Sequence, residues 1–482
     1  MISIFFREQN RYTQEELFDR LKCSEEEGVS YIRKLKEFGV LKAVKASNSQ
    51  RDMSDLAEED IEVADVDIYE NDYYYVFTFV GVIVVAGVVL KCYPKYLLSV
   101  EEPNVELHQV LRVIEKYNAK EQIIRMFNDS NEGHAFNLLA VLLFLIHDYY
   151  DNGIYNNTEV IIETNGPGEI LWEKTINETF TIISENRPFY PDLQTRKRVT
   201  DDFDYFQRLH ECILTKASKE LKDAQLLDLF DITEVDLTDE RLDEFGDNEY
   251  ILYRIKRELN VQFNTRKQLV LKTIASYIEQ SESLHDIDCL SLFGTNSFNL
   301  VWEGVCAEIL DNKLEKTIGE LESLLPTSLK SSYERESKLG KLIKAPLWTI
   351  TGKRATKTLE PDIISISGDK FVIFDAKYYN PLLEKDSTPA RQPGVESVTK
   401  QYLYELAYKK FVEDHGFTSV NCFLIPTEGN DVVAKGGVKM EILSELGLKD
   451  IKVRLFPARK AYDYYLKGEK ISDDEFGDII KD

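Results

Sequence analysis

Residues 360–378 read EPDIISISGDKFVIFDAKY. Two apolar runs flank a tight turn at residues 367–369, which predicts an antiparallel hairpin. Because successive side chains of a strand alternate between its faces, Asp375 and Lys377 share one face. Two opposite charges at the end of an apolar strand are costly to bury without a reason. Asp362 starts the preceding strand and can approach Asp375 across the pair.

This arrangement predicts a metal-dependent hydrolytic site. Asp362 and Asp375 supply the oxygen ligands that Mg²⁺ prefers, and the carbonyl of Ala376 could complete the protein ligands. A bound metal ion polarises a phosphoryl oxygen and lowers the pKa of water, and Lys377 would orient that water. The alternative is a structural Asp–Lys pair, which is the commoner origin of a short Asp-x-Lys motif. The upstream Asp362 and a helix predicted at about 396–414 favour a nuclease.

Residues 298–323 are predicted to contain a helix, because Phe298, Val301, Val305 and Ile309 lie on one helical face, and a basic stretch follows. Residues 330–360 contain eight Lys or Arg residues and three acidic residues. Trp348 and Tyr333 lie among them, and such mixtures suit contact with a phosphate backbone. The candidate DNA-binding residues are Lys341, Lys344, Lys353 and Arg354. The alternative is an ordinary solvated face.

The composition is that of an acidic globular protein. Of 482 residues, 85 are Asp or Glu and 59 are Lys or Arg, which gives a net charge of −26. A global positive field that attracts nucleic acid is therefore excluded, and any DNA contact must come from local patches. The longest apolar runs, at residues 79–90 and 138–146, are shorter than the roughly 20 residues that cross a bilayer. No membrane contact is expected.

Six cysteines are scattered along the chain without a CxxC pair. This pattern is typical of reduced thiols in a cytoplasmic protein and argues against a zinc module or a disulfide scaffold. The sequence has no phosphate-binding loop of the GxxxxGK[ST] type, so we do not expect it to hydrolyse a nucleotide by that mechanism. No signal peptide is expected at the N-terminus.

Residues 1–50 are predicted to form a winged-helix-like module. Thr13 and Glu16 have the spacing of a capping box that starts one helix, and Ser24 starts a second. A third helical stretch at residues 29–38 precedes an apolar strand. Such modules recognise DNA or protein partners, and both roles stay open.

Two acidic segments occur between residues 51 and 290. Residues 52–72 hold ten acidic residues and no basic one, and residues 221–250 hold eleven acidic residues. Such blocks are typical of solvated linkers and surface loops. Helices are predicted at about 105–127 and 135–150. We interpret this region as a mixed β and helical part that contacts a partner or DNA.

The hairpin and its surroundings resemble the PD-(D/E)xK nuclease superfamily. The match consists of Pro361-Asp362, a short spacer and residues 375–377, with one helix upstream and another downstream. The resemblance implies that Glu303, on the upstream helix, reaches the metal shell through water, with Glu308 as a weaker substitute. It also implies that Gln401, on the downstream helix, lies near the active site.

Over most of its length the chain is similar to the LlaJI family of restriction endonucleases, and more distantly to McrC-type nuclease subunits. The segments that carry this similarity are, in order, FVG at 79–81, YPKY at 93–96, GEILWEKTI at 168–176, VWE at 301–303 and the motif at 361–377. The resemblance implies Mg²⁺-dependent cleavage of double-stranded DNA in a restriction or phage-defence system.

The sequence therefore predicts an α+β multidomain protein. Its parts are a winged-helix-like module at 1–50, a mixed β/helical middle region at 51–290 and a C-terminal α/β PD-(D/E)xK nuclease domain at 291–482. The predicted activity is that of a Mg²⁺-dependent deoxyribonuclease. Two alternatives stay open: a non-catalytic DNA- or partner-binding scaffold with a degenerate nuclease fold, and a structure-specific DNA repair nuclease.

A partner subunit is also expected. The net charge of −26 opposes unaided binding to a polyanion, and the acidic segments suit a basic partner better than DNA. McrC-type proteins act with a separate nucleotide-hydrolysing motor, so the resemblance implies a McrB-like AAA+ GTPase that docks on residues 1–290. The alternative is a self-sufficient homo-oligomer, because a double-strand break needs two active sites.

Overall fold

The computed structural model describes most of the chain. The described residues are 1–45, 61–62, 73–128, 137–156, 158–200, 204–280, 283–284, 286 and 290–481. They form two compact units, one of residues 133–291 and one of residues 2–132 together with 292–482. This division groups residues 51–132 with the candidate nuclease segment, and the predicted boundaries at residues 50 and 290 stay predictions. Most of the acidic segment 52–72 lies outside the described residues.

The first part of the larger unit is rich in short strands. Its elements are β1 (Ile2–Arg7), β2 (Arg11–Tyr12), α1 (Gln14–Leu21), α2 (Glu25–Glu37), β3 (Leu41–Lys45), β4 (Ile61–Glu62), β5 (Tyr73–Phe77), β6 (Val80–Val85), β7 (Val88–Tyr93) and α3 (Asn104–Asn128). The helix predicted at about 105–127 is confirmed as α3.

The second compact unit is built around packed helices. Its elements are α4 (Leu138–Asn152), β8 (Thr158–Thr164), β9 (Glu169–Ile170), α5 (Trp172–Glu178), β10 (Ile182–Ser184), β11 (Arg187–Phe189), β12 (Gln194–Thr200), α6 (Tyr205–Asp223), α7 (Asn248–Val261) and α8 (Thr265–Gln280). The apolar run at 138–146 is a buried helix, as predicted. The acidic segment 221–250 follows α6, and its Glu234 and Asp236 pair with lysines of that helix.

The remainder of the larger unit carries the hairpin. Its elements are β13 (Leu290–Thr295), α9 (Phe298–Ile309), β14 (Leu347–Trp348), β15 (Lys353–Arg354), β16 (Ile363–Ser367), β17 (Lys370–Ala376), α10 (Val395–His415), β18 (Thr418–Thr427), β19 (Val433–Val438), α11 (Glu441–Ser444), β20 (Ile451–Pro457), α12 (Ala458–Lys467) and α13 (Asp473–Ile480). The predicted hairpin and its downstream helix are confirmed.

The N-terminal module has two described helices where three helical stretches were predicted. Capping boxes at Thr13 and Ser24 open α1 and α2, as the spacing indicated. The stretch at 29–38 is not separate, because Gly28 continues α2 instead of breaking it. A Cβ at Gly28 would lie 2.2 Å from the Phe18 ring, so this glycine permits a close helix contact. The winged-helix-like classification stays a prediction.

A buried sheet in the larger unit has the strand order β1-β7-β6-β13. The close approach of two glycines positions β13 beside β6. A Cβ at Gly81 would lie 2.1 Å from the carbonyl oxygen of Phe293, and one at Gly294 would lie 2.2 Å from that of Val80. Both glycines also have positive φ angles, 145° and 157°. Only glycine tolerates this geometry, which sets the point from which α9 departs.

The hairpin belongs to a five-stranded mixed sheet of order β16-β17-β18-β20-β19. Strands β16 and β17 are antiparallel, and β17, β18 and β20 are parallel. Helix α10 connects β17 to β18 and covers one face, where the Phe371 ring packs at a tilt against Tyr408 and Phe411. On the other face, Phe374 packs edge-on against Phe476 of α13. The sheet thus holds the end of β17 rigidly between two layers.

The helix predicted within residues 298–323 is confirmed as α9, which ends at Ile309. The chain turns at Asp311, which has a φ of 55°, and Asn312 then binds the start of β16. Its Nδ2 donates to the carbonyl of Asp362 at 3.0 Å, and its Oδ1 accepts from the N–H of Ile364 at 3.1 Å. These tertiary hydrogen bonds fix the chain just beyond the end of α9.

Within the described part of the chain, no helix combines the length and apolar character needed to cross a bilayer. The described cysteines, Cys23, Cys92, Cys212, Cys306 and Cys422, are all free thiols. Cys289 lies outside the described residues.

Candidate active site

The candidate site lies where β16 begins and β17 ends. The antiparallel register pairs Ile363 with Phe374, so one further step places Asp362 opposite Asp375. The backbone N–H of Ala376 donates a hydrogen bond of 3.0 Å to Oδ2 of Asp362. The structure therefore brings together the two carboxylates that the sequence singled out.

Lys377 follows β17 and turns back towards Asp375. Its Nζ lies 2.9 Å from Oδ1 of Asp375 in a largely buried ion pair. The contact lacks hydrogen-bond geometry, and among the described residues this Oδ1 has no hydrogen-bond donor. Asp375 is only 3% exposed. A buried carboxylate oxygen without a donor is unusual and fits a site that receives a cation or a water molecule.

Crowded carboxylates dominate the electrostatics. Burial, together with the charges of Asp375 and Glu303, raises the pKa of Asp362 to about 9, although Lys377 opposes this shift. Burial alone would lower the pKa of Lys377, but the carboxylates of Asp375 and Asp362 outweigh burial and raise it. Lys377 therefore stays an ammonium ion near neutral pH. The acidic groups outnumber the single cation, so an added divalent cation would relieve their repulsion.

Glu303 approaches this cluster from the second turn of α9. Burial raises its pKa, Lys377 opposes the shift and Asp375 adds to it. Its neighbour Trp302 is fully buried and donates its indole N–H to the carbonyl of Leu424 at 3.3 Å. This bond ties α9 to β18 and so fixes the direction in which Glu303 points.

Gln401 and Glu308 make contacts away from the carboxylates. Gln401 is fully buried, and its Nε2 donates to the carbonyl of Ile373 at 2.9 Å, two residues before Asp375. It therefore supports the strand that carries Asp375. Glu308 forms an ion pair of 3.1 Å with Lys116 of α3.

A buried carboxylate on α10 was missed by the sequence analysis. Glu405 accepts hydrogen bonds from Ser419 Oγ at 2.6 Å, Asn421 Nδ2 at 2.8 Å and the Lys449 N–H at 2.9 Å. It lies one helical turn after Gln401, so the two polar residues share one helix face. Two polar residues four positions apart on a mostly apolar helix face were the sequence signal that could have identified Glu405. The network anchors α10 to the sheet that supports the site.

The segment after Lys377 is tied to β1 by a second buried polar cluster, which the sequence did not indicate. The Tyr378 hydroxyl donates to the Glu8 carboxylate. The Lys95 N–H donates to both groups, at 3.3 Å to Glu8 and 3.2 Å to Tyr378. The Lys95 Nζ lies 4.8 Å from the centre of the Tyr378 ring and donates to Gln9 at 2.9 Å. These contacts fix the chain immediately beyond Lys377.

The predicted basic stretch divides into two parts. Three cations are paired with the protein's own acids, in the pairs Lys330–Asp414, Arg335–Glu322 and Lys338–Glu315. The four candidate DNA-binding residues, Lys341, Lys344, Lys353 and Arg354, are exposed. None of these four forms an ion pair with another described residue. The structure thus leaves the charges of these four available to an external anion.

The site offers few side-chain ligands to a Mg²⁺ ion. Within the described residues, no three His, Cys, Asp or Glu side chains converge closely enough to hold a metal ion by themselves. Mg²⁺ commonly takes only one or two carboxylates and completes its shell with waters and substrate phosphates. Asp362 and Asp375 fit this smaller requirement, since the two carboxylates lie opposite each other at the end of the hairpin. The Ala376 carbonyl stays a predicted further ligand.

Most of the chain matches the model of a known protein family. The model of the LlaJI restriction endonuclease family matches residues 79–325 and 329–456. The chain is also 26% identical over 423 residues to the type II restriction enzyme BsuMI component YdjA of Bacillus subtilis (strain 168), and the alignment covers 84% of each protein. The family match spans both parts of the larger unit and all residues of the candidate active site.

Two solved structures from Thermococcus gammatolerans show weak likeness. One is the refined half-complex of a tetradecameric assembly of McrB AAA+ hexamers with bound McrC, at 12% identity and a TM-score of 0.37, covering 97% of this chain and 99% of that chain. The other is the cryo-EM structure of the McrBC complex, at 13% identity and a TM-score of 0.28, covering 65% of this chain and 88% of that chain. Scores this low carry no argument about fold or partners.

Proposed function

The chain belongs to the LlaJI restriction endonuclease family, and we propose that it is the Mg²⁺-dependent nuclease subunit of a restriction system. Its substrate is double-stranded DNA, and its reaction is hydrolysis of a phosphodiester bond. The BsuMI relative is named as a component of a restriction enzyme, which supports a role as one subunit among others. We also place the protein in the cytoplasm, where its free thiols would stay reduced.

One observation carries this proposal: two carboxylates and an ammonium group converge at the mouth of a rigid hairpin. A purely structural Asp–Lys pair would need no second carboxylate. Here Asp362 is held opposite Asp375, whose Oδ1 lies 2.9 Å from the Lys377 ammonium group. Buried charge arranged in this way destabilises a fold and is typical of functional sites.

The residues have distinct roles in this proposal. Asp362 and Asp375 would hold Mg²⁺, which when bound supplies charge to polarise the scissile phosphate and to lower the pKa of a water molecule. Lys377 remains protonated, so it serves as a hydrogen-bond donor to the attacking water and to the phosphate oxygens, and not as a general base. Glu303 interacts electrostatically with Asp375 and Lys377, and Gln401 supports β17 by a hydrogen bond to the Ile373 carbonyl.

The test is an assay of the enzyme assembled with the products of its neighbouring genes. Plasmid cleavage in Mg²⁺ that stops with EDTA supports the proposal. Preferential cutting of branched or single-stranded substrates would instead indicate a repair nuclease. Binding of DNA without any cleavage would indicate the non-catalytic scaffold.

Metal binding can be measured separately from cleavage. In calorimetric titration the wild-type protein should bind Mg²⁺, and Mg²⁺ at ten times its Kd should stabilise the fold by about 1.4 kcal/mol. Asp362→Asn and Asp375→Asn should abolish both effects, because each removes a charged ligand. Glu308→Gln is the matched control, since Glu308 pairs with Lys116 and not with the site. Equal Mg²⁺ binding by all variants would exclude these carboxylates as ligands.

The exposed cations should set the salt dependence of DNA binding. Each phosphate contact contributes about −0.9 to the slope of log K against log salt, so replacing Lys341, Lys344, Lys353 and Arg354 by Gln should flatten the slope by up to about 3.6. The control replaces the three paired cations Lys330, Arg335 and Lys338, and the change in slope is compared per charge removed. A control that flattens the slope as strongly would show that the four exposed cations have no special role.

A further inference from the structure

The hairpin formed by β14 and β15 exposes large apolar side chains on the protein surface. Its register pairs Leu347 with Arg354 and Trp348 with Lys353. Residues 346–354 are all exposed, so this two-stranded sheet is uncovered on both faces. Isolated hairpins are marginally stable, and exposed clusters of large apolar side chains commonly mark a binding surface.

The end of this hairpin is apolar. Ile350, in the turn, is 100% exposed, Trp348 is 66% exposed and Leu347 is 52% exposed. The turn is held by hydrogen bonds to the Trp348 carbonyl, from the Gly352 N–H at 2.9 Å and from Thr351 Oγ1 at 3.1 Å. We call Leu347, Trp348 and Ile350 the apolar tip. It is a fixed projection, presented by backbone hydrogen bonds.

Positive charge surrounds the apolar tip. Cross-strand partners lie on the same face of a hairpin, so Lys353 shares a face with Trp348 and Arg354 shares the other face with Leu347. From residue 337 to residue 359 the sequence has six Lys or Arg residues and no acidic residue, in a chain of net charge −26. An apolar wedge flanked by cations on both faces matches a polyanion with a stacked apolar interior, which is duplex DNA.

The hairpin is also close to the candidate active site along the chain. Ile350 and Asp362 are twelve positions apart, so the chain between them spans at most about 43 Å when fully extended. One helical turn of DNA is about 34 Å long. A duplex of two turns bound at Asp362 and Asp375 is therefore long enough to reach the apolar tip.

We propose that the β14–β15 hairpin enters the minor groove of the substrate duplex, where Trp348 and Ile350 press against the base stack while Lys353 and Arg354 contact the flanking phosphates. Apolar wedges of this kind partly unstack a base step and bend the duplex. The hairpin would thereby hold and deform DNA beside the cleavage site. This inference rests on the proposed nuclease function, because that function makes duplex DNA the expected occupant.

Tryptophan fluorescence tests the contact directly. The chain has three tryptophans, and Trp302 is fully buried, so Trp172→Phe leaves Trp348 as the one exposed indole. Binding of a 40-base-pair duplex, with Ca²⁺ replacing Mg²⁺ to prevent cleavage, should quench Trp348. Heparin, a polyanion without bases, should bind without that quenching. Equal quenching by heparin, or none by DNA, would overturn the proposal.

Affinity provides the second measurement. Trp348→Ser/Ile350→Ser should weaken duplex binding at least about fivefold, as loss of base stacking does. Ile442→Ser/Leu446→Ser is the matched control, because both side chains are exposed in the same compact unit. An unchanged affinity in the first variant, or no duplex binding by the wild-type protein assembled with its partner subunits, would refute the hairpin proposal. Loss of a protein partner with unchanged DNA affinity would also refute it and assign the tip to a subunit contact.

The two proposals can fail separately. Binding is measured without cleavage, so a chain that binds DNA through the hairpin and yet never cuts it with Mg²⁺ would refute the nuclease function alone. Full cleavage together with unquenched Trp348 would refute the hairpin role alone.

Discussion

Lys377→Ala is expected to reduce DNA cleavage by about a hundred- to a thousandfold, while the protein folds and binds DNA normally. The loss removes the ammonium group that lies 2.9 Å from Asp375, and removal of one donor that stabilises developing charge costs about 10²- to 10³-fold. Asp375→Asn and Asp362→Asn should be equally inactive, because each removes a proposed metal ligand. Cleavage is measured on plasmid DNA with the assembled enzyme, and in cells by the plating efficiency of unmodified phage.

Thermal unfolding separates this interpretation from a structural role for Asp362. If the carboxylates serve catalysis, their mutual repulsion destabilises the metal-free fold, and Asp362→Asn, which leaves the Asp375–Lys377 pair intact, should leave the Tm unchanged or raise it. If Asp362 is instead a structural group, the same substitution weakens the acceptor of the Ala376 N–H and should lower the Tm. Gln401→Ala is a graded comparison with a weaker expected effect on cleavage, since Gln401 contacts β17 only through the Ile373 carbonyl. Full activity in Lys377→Ala would contradict the site assignment.

The hairpin that carries the candidate site was predictable because its signals are local. Alternating apolar residues and the Gly368 turn indicated β16 and β17, and Gly368 has the positive φ of 56° that such a turn requires. The antiparallel register then follows from the turn, and with it the approach of Asp362 to Asp375. A short turn fixes which residues face each other, so a single sequence was enough.

Contacts between distant segments were not predictable in this way. Glu8 and Tyr378 are 370 positions apart, and no periodicity in the sequence relates them. The segment after α9 is held by Asn312, whose side chain finds its partners 50 and 52 positions later. Periodicity indicated the apolar face of a helix within 298–323, but it carries no information about these tertiary hydrogen bonds.

The charge of the chain raises a separate question about how DNA reaches the site. The exposed cations at the hairpin are a local feature in a protein of net charge −26. Long-range attraction of DNA depends on the summed field, which here is repulsive, and the local cations act only within about 10 Å at 0.1 M salt. A separate subunit that binds DNA first would overcome this electrostatic barrier to the association of the chain with DNA.

The purified chain alone should therefore fail to make rapid, site-specific double-strand breaks in a plasmid with Mg²⁺ and no nucleotide. Addition of its partner subunits, together with the nucleotide that a motor subunit would hydrolyse, should raise the cleavage rate by at least about tenfold, which is the lower end of the gain in association rate that a favourable field supplies. We propose a McrB-like AAA+ GTPase as the motor. Lys377→Ala in the complete mixture controls for contaminating nucleases. The partner requirement would be excluded if the chain alone cut as fast as the mixture, and a second-order dependence of that cutting on protein concentration would then indicate the homo-oligomer.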